Sequence, residues 1–95
     1  MHNLSDLEAL ILVEAFTGEP ARPTDKPLLR HGNSRPISER EAIWEANQSL
    51  HERGLVDIVT VNPRVQIKRV RPEGKKLAQE IIDSGALDRL TDPIF

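Results

Sequence analysis

One stretch, HERGLVDIVTVNPRVQIKRVRPEGKKL, residues 51–77, constrains the fold of this chain more than any other. A helical pattern ends at a glycine, two runs rich in β-branched residues follow at 55–61 and 65–70, and a proline then opens another helical pattern. Val, Ile and Thr favour strands, and so short a connection permits only antiparallel pairing. Pro63 suits the first corner of a type I or II turn, which predicts a slightly longer or bulged tip. The stretch therefore predicts the order helix, β-hairpin, helix.

The second predicted strand changes phase along its length. Val65 and Ile67 fall on one face, whereas Val70 lies three residues further on and falls on the other. Alternation along a strand has a period of two, so an uninterrupted strand cannot place all three side chains on the core. A bulge or a strand end near Lys68 and Arg69 resolves the conflict, and we expect one there.

Two capping boxes mark the starts of helices before the hairpin. Ser5-Asp6-Leu7-Glu8 opens a helix over residues 6–17, and Gly18 supplies its stop. Ser38-Glu39-Arg40-Glu41 opens a second helix, which is expected to end at residue 53, immediately before another glycine. The core-facing stripe of this second helix consists of Ile43, Ala46 and Leu50.

The remaining segments give two further expectations. Residues 19–37 contain four prolines, which exclude a long helix and leave room for one short helix from Asp25 to Gly32 within an extended loop. After the hairpin, Pro72 suits the first turn of a third helix, and Gly85 separates this helix from one further turn at 86–90. The apolar stripe of the third helix is Leu77, Ala78, Ile81 and Ile82.

Two glycines have specific expected roles. Gly54 provides the left-handed conformation that lets a helix turn directly into a strand. Gly74 permits a close approach between the third helix and the hairpin. The residues expected to close the core between these elements are Leu50, Leu55, Ile58 and Leu77.

Two motifs give this order of elements a family resemblance. Leu50-His51-Glu52-Arg53-Gly54-Leu55-Val56 resembles the end of the recognition helix and the first wing strand of MarR-type regulators. Val70-Arg71-Pro72-Glu73-Gly74-Lys75-Lys76-Leu77 is similar to the junction between wing and helix in the same winged-helix families. The resemblance covers roughly residues 43–82 and implies an α+β, mostly α, winged-helix fold. We therefore expect a single winged-helix domain over residues 1–95, with 86–95 as a C-terminal tail or dimerisation segment.

Positive charge is concentrated on the predicted hairpin. Residues 64–76 contain six basic residues and one acidic residue, a net charge of +5, so the rest of the chain carries −7 of the total of −2. Such asymmetry can attract an anionic ligand, or it can be a solvated edge that discourages strand pairing. In a winged helix the hairpin reaches the phosphate backbone, which favours double-stranded DNA as the partner and a transcriptional regulator as the function. The expected DNA contacts are Arg64, Lys68, Arg69 and Arg71 on the wing, with Arg40, Gln48 and Arg35.

An alternative function is a winged-helix module that binds a basic protein partner. Its expected contacts are Glu41, Trp44 and Glu45, because residues 39–53 carry a net charge of −2 and an acidic helix face is poorly suited to the major groove. A buried Trp44 beside an exposed cationic wing favours DNA, whereas an exposed Trp44 beside the two glutamates favours a protein. Fold alone does not decide between them. A homodimer is also expected, formed by the first helix together with Leu87, Leu90, Ile94 and Phe95.

Other functional classes receive little support from the residues. The sequence has no cysteine, and its histidines, His2, His31 and His51, are isolated, so neither a metal site nor any other cofactor is expected. The glycines are dispersed rather than grouped in a phosphate-binding loop, and both serines of the capping boxes are assigned to helix ends, so the chain is not expected to be an enzyme. No apolar run has the length of a membrane span and no signal peptide is evident, which favours a cytoplasmic protein.

Overall fold

A computed structural model describes residues 4–22, 25–29 and 35–90. The elements follow the order α1 (Asp6–Thr17), α2 (Ile37–Glu52), β1 (Val56–Val61), β2 (Arg64–Val70), α3 (Pro72–Asp83) and a short 3₁₀ helix (Ala86–Arg89). The predicted fold class is confirmed: the described residues form an α+β, mostly helical structure whose order is compatible with a winged-helix arrangement. The expected helix end at Gly32 and the apolar residues Ile94 and Phe95 lie outside the described residues.

Helix α1 has the predicted bounds and lies at the centre of the fold. The Ser5 hydroxyl accepts a hydrogen bond from the Glu8 amide at 3.2 Å, and the Glu8 carboxylate accepts one from the Ser5 amide at 3.0 Å, which confirms the capping box. Residues 8–14 are all buried, because α2 and α3 both pack against this helix. The apolar face that the homodimer was expected to use is therefore covered within the single chain.

Helix α2 begins differently from the prediction. Its first residue is Ile37, its N-cap is Pro36, and no side chain caps it, so the expected capping box at Ser38 is wrong. Pro36 is extended, and its carbonyl accepts hydrogen bonds from the amides of Glu39 and Arg40, both at 3.1 Å. The helix therefore starts before Ser38, whose hydroxyl lies inside the first turn. The predicted core stripe is confirmed, since Ile43, Ala46 and Leu50 are all buried.

The hairpin has the predicted antiparallel pairing and the predicted bulge. Asp57 pairs with Arg69 and Ile58 pairs with Ile67, which leaves Lys68 as the extra residue on β2. Val61 pairs with Arg64, so only Asn62 and Pro63 form the tip, and the bond between them is cis. The prediction of a longer tip with Pro63 at its first corner is wrong, because Pro63 occupies the second of two corners.

The junction of β1 and α3 confirms both glycine roles. Gly54 has φ +75°, and Gly74 lies so close to β1 that a Cβ atom built on it would be 2.1 Å from the Leu55 carbonyl oxygen. Leu50 and Leu55 are buried, and Ile58 and Leu77 are half-buried against the same core. Pro72 is in the first turn of α3, as predicted, and the turn after Gly85 is the 3₁₀ helix.

The short helix expected from Asp25 is absent from the described part of that segment, residues 25–29. The amides of Leu28 and Leu29 instead donate hydrogen bonds to the carboxylate of Glu14, at 2.9 Å and 2.8 Å for the shortest contact of each. Because these amides donate to a side chain, they do not form the main-chain hydrogen bonds of a helix. Leu28 is buried in the core.

A basic hairpin and the groove beside it

The hairpin tip projects beyond the core. Residues 59–64 are all exposed, including Val61 with 65 % of its surface accessible. Arg64 lies at the base of the turn and Lys68 at the bulge, and neither forms an ion pair with any residue that the structure describes. Two predicted contacts, Arg64 and Lys68, are therefore exposed cations on one strand.

Arg69 and Arg71 share one carboxylate. The Arg69 Nε donates a short hydrogen bond to Asp57 Oδ2, and the Arg71 Nε lies 3.3 Å from Asp57 Oδ1. The hydrogen bond from Arg69, together with the charges of both arginines, lowers the pKa of Asp57. When Asp57 is counted with residues 64–76, their net charge falls from +5 to +4. The two arginines together thus offer about one uncompensated charge.

Two further cations extend the basic surface onto α3. Lys75 and Lys76 are exposed in the first turns of this helix, directly after β2 in the chain. Within residues 4–22, 25–29 and 35–90, neither lysine has an ion-pair partner. Both lysines belong to the charged segment 64–76, and neither was predicted to contact DNA.

The exposed stripe of α2 is acidic. Glu41, Glu45, Gln48 and Glu52 follow one another at helical spacing, with the three glutamates exposed and the Gln48 amide 3.4 Å from the Glu52 carboxylate. Trp44 is half-buried and lines the space between α2, the linker and β2. Of the three residues of the alternative protein-binding function, the two glutamates, Glu41 and Glu45, are exposed and Trp44 is half-buried.

The other two arginines predicted to contact DNA lie away from that exposed stripe. The guanidinium of Arg35 donates to the Pro27 carbonyl at 3.0 Å and lies 3.6 Å from Glu39, so it joins the linker to the start of α2. Arg40 is half-buried and faces the same space as Trp44. Arg35 therefore has a structural role, and Arg40 is brought towards β2 rather than towards the acidic stripe.

A groove with a volume of about 490 Å³ separates β2 from α2 and the linker. All seven residues of β2 line one wall, which makes the groove as long as the strand. The opposite wall is formed by Arg40, Trp44, Leu29 and Pro27, and Asn47 lies between the two walls. The volume is in the range of roughly 300–1,000 Å³ that ligand sites occupy in proteins.

Asn47 joins α2 to β2 and was not identified from the sequence. Its side chain is almost fully buried at 2 % exposure, and its Nδ2 donates to the Val65 carbonyl at 2.8 Å. Its Oδ1 is buried without a hydrogen-bond partner among the described residues. Asn47 follows Ile43 by one helical turn, and a polar residue so placed beside a core stripe was the available signal.

Comparisons with protein-family models, with curated proteins and with solved structures found no match to this chain. Among the helices of the described residues, none combines the length and apolar character that a membrane span needs. The same residues contain no group of three or more His, Cys, Asp or Glu side chains arranged to hold a metal ion.

Proposed function

We propose that this chain is a winged-helix-type regulator that binds double-stranded DNA through phosphate contacts made by its hairpin. The observation that carries the proposal is the exposure of Arg64 and Lys68 on β2, both without an intramolecular ion pair among the described residues. Trp44 is half-buried, so it matches neither the buried arrangement expected for DNA binding nor the exposed arrangement expected for a protein partner. Long cationic side chains neutralise phosphates without reading bases, so the expected binding is largely independent of sequence.

The acidic stripe of α2 determines how the duplex is expected to lie. Glu41 and Glu45 are exposed and carry the same sign of charge as the phosphates that line the major groove. Insertion of this helix face into the major groove of DNA would bring the two glutamates close to phosphates of the same sign of charge, with no cation on the stripe to compensate. The proposed contacts therefore come from the hairpin and from Lys75 and Lys76 at the start of α3, and α2 does not act as a base-reading helix.

The salt dependence of binding tests this proposal quantitatively. Arg64, Lys68 and the one uncompensated charge of the Arg69–Arg71 pair give about three hairpin phosphate contacts. Each contact contributes roughly −0.9 to the slope of log affinity against log salt, so the hairpin alone predicts a slope near −2.7. Binding to a non-specific duplex, measured by fluorescence anisotropy over a salt series, gives this slope directly, and contacts from the lysines of α3 make it steeper.

A double charge reversal identifies the residues responsible. The Arg64→Glu/Lys68→Glu protein should lose about two contacts, which reduces the slope by roughly 1.8 and weakens binding at low salt. The matched control is Lys26→Glu/Arg89→Glu, which makes the same change in net charge at exposed positions outside the hairpin. An equal loss of DNA affinity in both double variants would show a general effect of net charge and would contradict the assignment to the hairpin. Absence of binding by the unmodified chain at low salt would refute the proposal.

A further inference from the structure

The groove-facing edge of β2 has main-chain groups that no described residue uses. Residue pairs in an antiparallel hairpin alternate between pairs that exchange two main-chain hydrogen bonds and pairs that exchange none. The Val65 carbonyl accepts from Asn47, so it points away from β1, and the pair Thr60–Val65 is of the second kind. The pair Ile58–Ile67 lies two residues further along each strand, so it is also a pair that exchanges no hydrogen bonds. The amide and carbonyl of Ile67 therefore face the groove, with no hydrogen-bond partner in the described ranges.

We propose that this groove binds an extended acidic peptide segment of a partner protein as a third strand beside β2. Main-chain groups of the peptide would pair with Ile67 and with the Val65 amide, which is the mode of recognition called β-augmentation. The groove follows β2 along all seven of its residues, and this length matches an extended segment. Binding of this kind does not depend on the proposed DNA contacts, although both use cations of β2.

The two faces of β2 specify the side chains of the peptide. A peptide residue beside Val65 or Ile67 points to the same side of the hairpin as these half-buried residues, and Ile67 packs against the core on that side. A neighbouring peptide residue points to the opposite side, where Arg64 lies. Apolar and acidic residues should therefore alternate in the peptide, with the apolar ones directed inward.

Charge favours an acidic occupant over a second copy of this chain. The basic residues that line the groove are Arg40, Arg64, Lys68 and Arg69, against two acidic residues, Glu14 and Glu19. When Asp57, which is paired with Arg69, is counted as well, the groove keeps a net charge of +1. Pairing of β2 with β2 of another copy would bring the cations of both strands together, and like charges on adjacent strands are destabilising.

A designed peptide tests the proposal in the full chain. The probe is acetyl-Glu-Val-Glu-Val-Glu-Val-Glu-amide, and its control has the same composition with the valines in one block. Binding is followed by the fluorescence of Trp44, the single tryptophan of the chain, and by hydrogen exchange of the Ile67 amide. The alternating peptide should change Trp44 emission saturably and slow exchange at Ile67, and the block peptide should do neither. Equal binding of both peptides, or no binding of either at millimolar concentration, would overturn the proposal.

Methylation of the peptide main chain separates strand pairing from simple charge attraction. Only alternate amides of an added strand face β2, so one probe is N-methylated on its valines and another on its glutamates. One of the two should lose binding and the other should retain it, whereas equal affinities would overturn the strand-pairing geometry. Because this change is made in the peptide, the result is independent of DNA binding and of the folding of any variant.

A charge reversal locates the acidic side chains of the peptide. Lys68→Glu should weaken binding of the alternating peptide by about fivefold. Lys76→Glu makes the same change at an exposed residue outside the groove and should alter affinity by less than about twofold. Equal effects of the two variants would overturn the assignment to the groove. If hydrogen exchange of the Ile67 amide slows as protein concentration rises in the absence of peptide, this edge pairs with a second copy of the chain. That result would also overturn the proposal.

Discussion

Replacement of Gly74 by alanine is expected to separate two opposing effects in α3. A Cβ atom at this position would lie 2.1 Å from the Leu55 carbonyl oxygen and 2.8 Å from the Val70 Cγ1. The methyl group of Val70 can move by side-chain rotation, but the Leu55 carbonyl is main chain. It also accepts a hydrogen bond from the Arg71 amide at 2.9 Å, which fixes it at the junction between β1 and α3.

The magnitude follows from three contributions to the free energy of unfolding. Alanine in place of glycine stabilises a helix by at most about 1 kcal/mol, and less in its first turn. Overpacking against a fixed group typically costs about 1–3 kcal/mol. Loss or distortion of the hydrogen bond from Arg71 to Leu55 costs about 1 kcal/mol more. The clash is therefore expected to dominate, with a net destabilisation of about 2 kcal/mol for Gly74→Ala, equivalent to a decrease in Tm of roughly 8–16 °C.

Urea denaturation followed by far-ultraviolet circular dichroism measures this free energy. Lys75→Ala is the matched control, because Lys75 is the next residue of α3, is exposed, and should change stability by less than about 0.5 kcal/mol when replaced. If Gly74→Ala were as stable as the unmodified chain, or more stable, the close approach between α3 and Leu55 would be refuted and helix propensity would be the dominant effect.

Two further predictions concern buried carboxylates of α1. Glu14→Gln gives one of the two linker amides a neutral acceptor and leaves the other without an acceptor, so it should destabilise the fold by about 1.5–3 kcal/mol in urea denaturation. Exposed Glu19→Gln is the control, and equal effects would contradict this role. Burial alone would raise the pKa of Glu8, but hydrogen bonds from Ser49 and Ser5 and the charge of Arg53 lower it overall. The resulting stabilisation is present above the ordinary value of 4.5 and is lost as pH falls through the lowered pKa. Ser49→Ala should therefore reduce Tm at neutral pH and flatten its decrease on acidification, and a parallel loss at all pH values would count against this linkage.

Local sequence patterns were sufficient to predict those elements whose interactions come from neighbouring residues. The first helix was predicted correctly because Ser5 and Glu8 cap it within one turn and Gly18 ends it. The spacing of apolar residues predicted a bulge or a strand end on β2, because an uninterrupted strand cannot place Val65, Ile67 and Val70 on one side, and the structure has the bulge. The same kind of reasoning failed at Ser38, because the extended Pro36 starts the helix earlier.

The candidate binding surface shows how far sequence reasoning reaches. The clustering of charge along the chain was enough to predict that Arg64 and Lys68 belong to one basic surface, since a hairpin brings residues that are close in sequence together in space. It was not enough to show that Asp57 is held by Arg69 and Arg71, because that contact depends on the register between the two strands. The composition of the basic surface was therefore predicted, and its effective charge was not.

The order of elements, the antiparallel hairpin and the concentration of cations on it could be predicted from the sequence, because each depends on residues close together in the chain. The tertiary structure was needed to show that Glu14 binds the linker amides, that Asn47 bonds to Val65, and that Trp44 faces β2 across a groove. The hydrogen bonds among these contacts join different segments of the chain, with partners 14 positions apart for Glu14 and Leu28 and 18 for Asn47 and Val65. Their partners are set by how the helices pack on the hairpin, and no local pattern of residues encodes that packing.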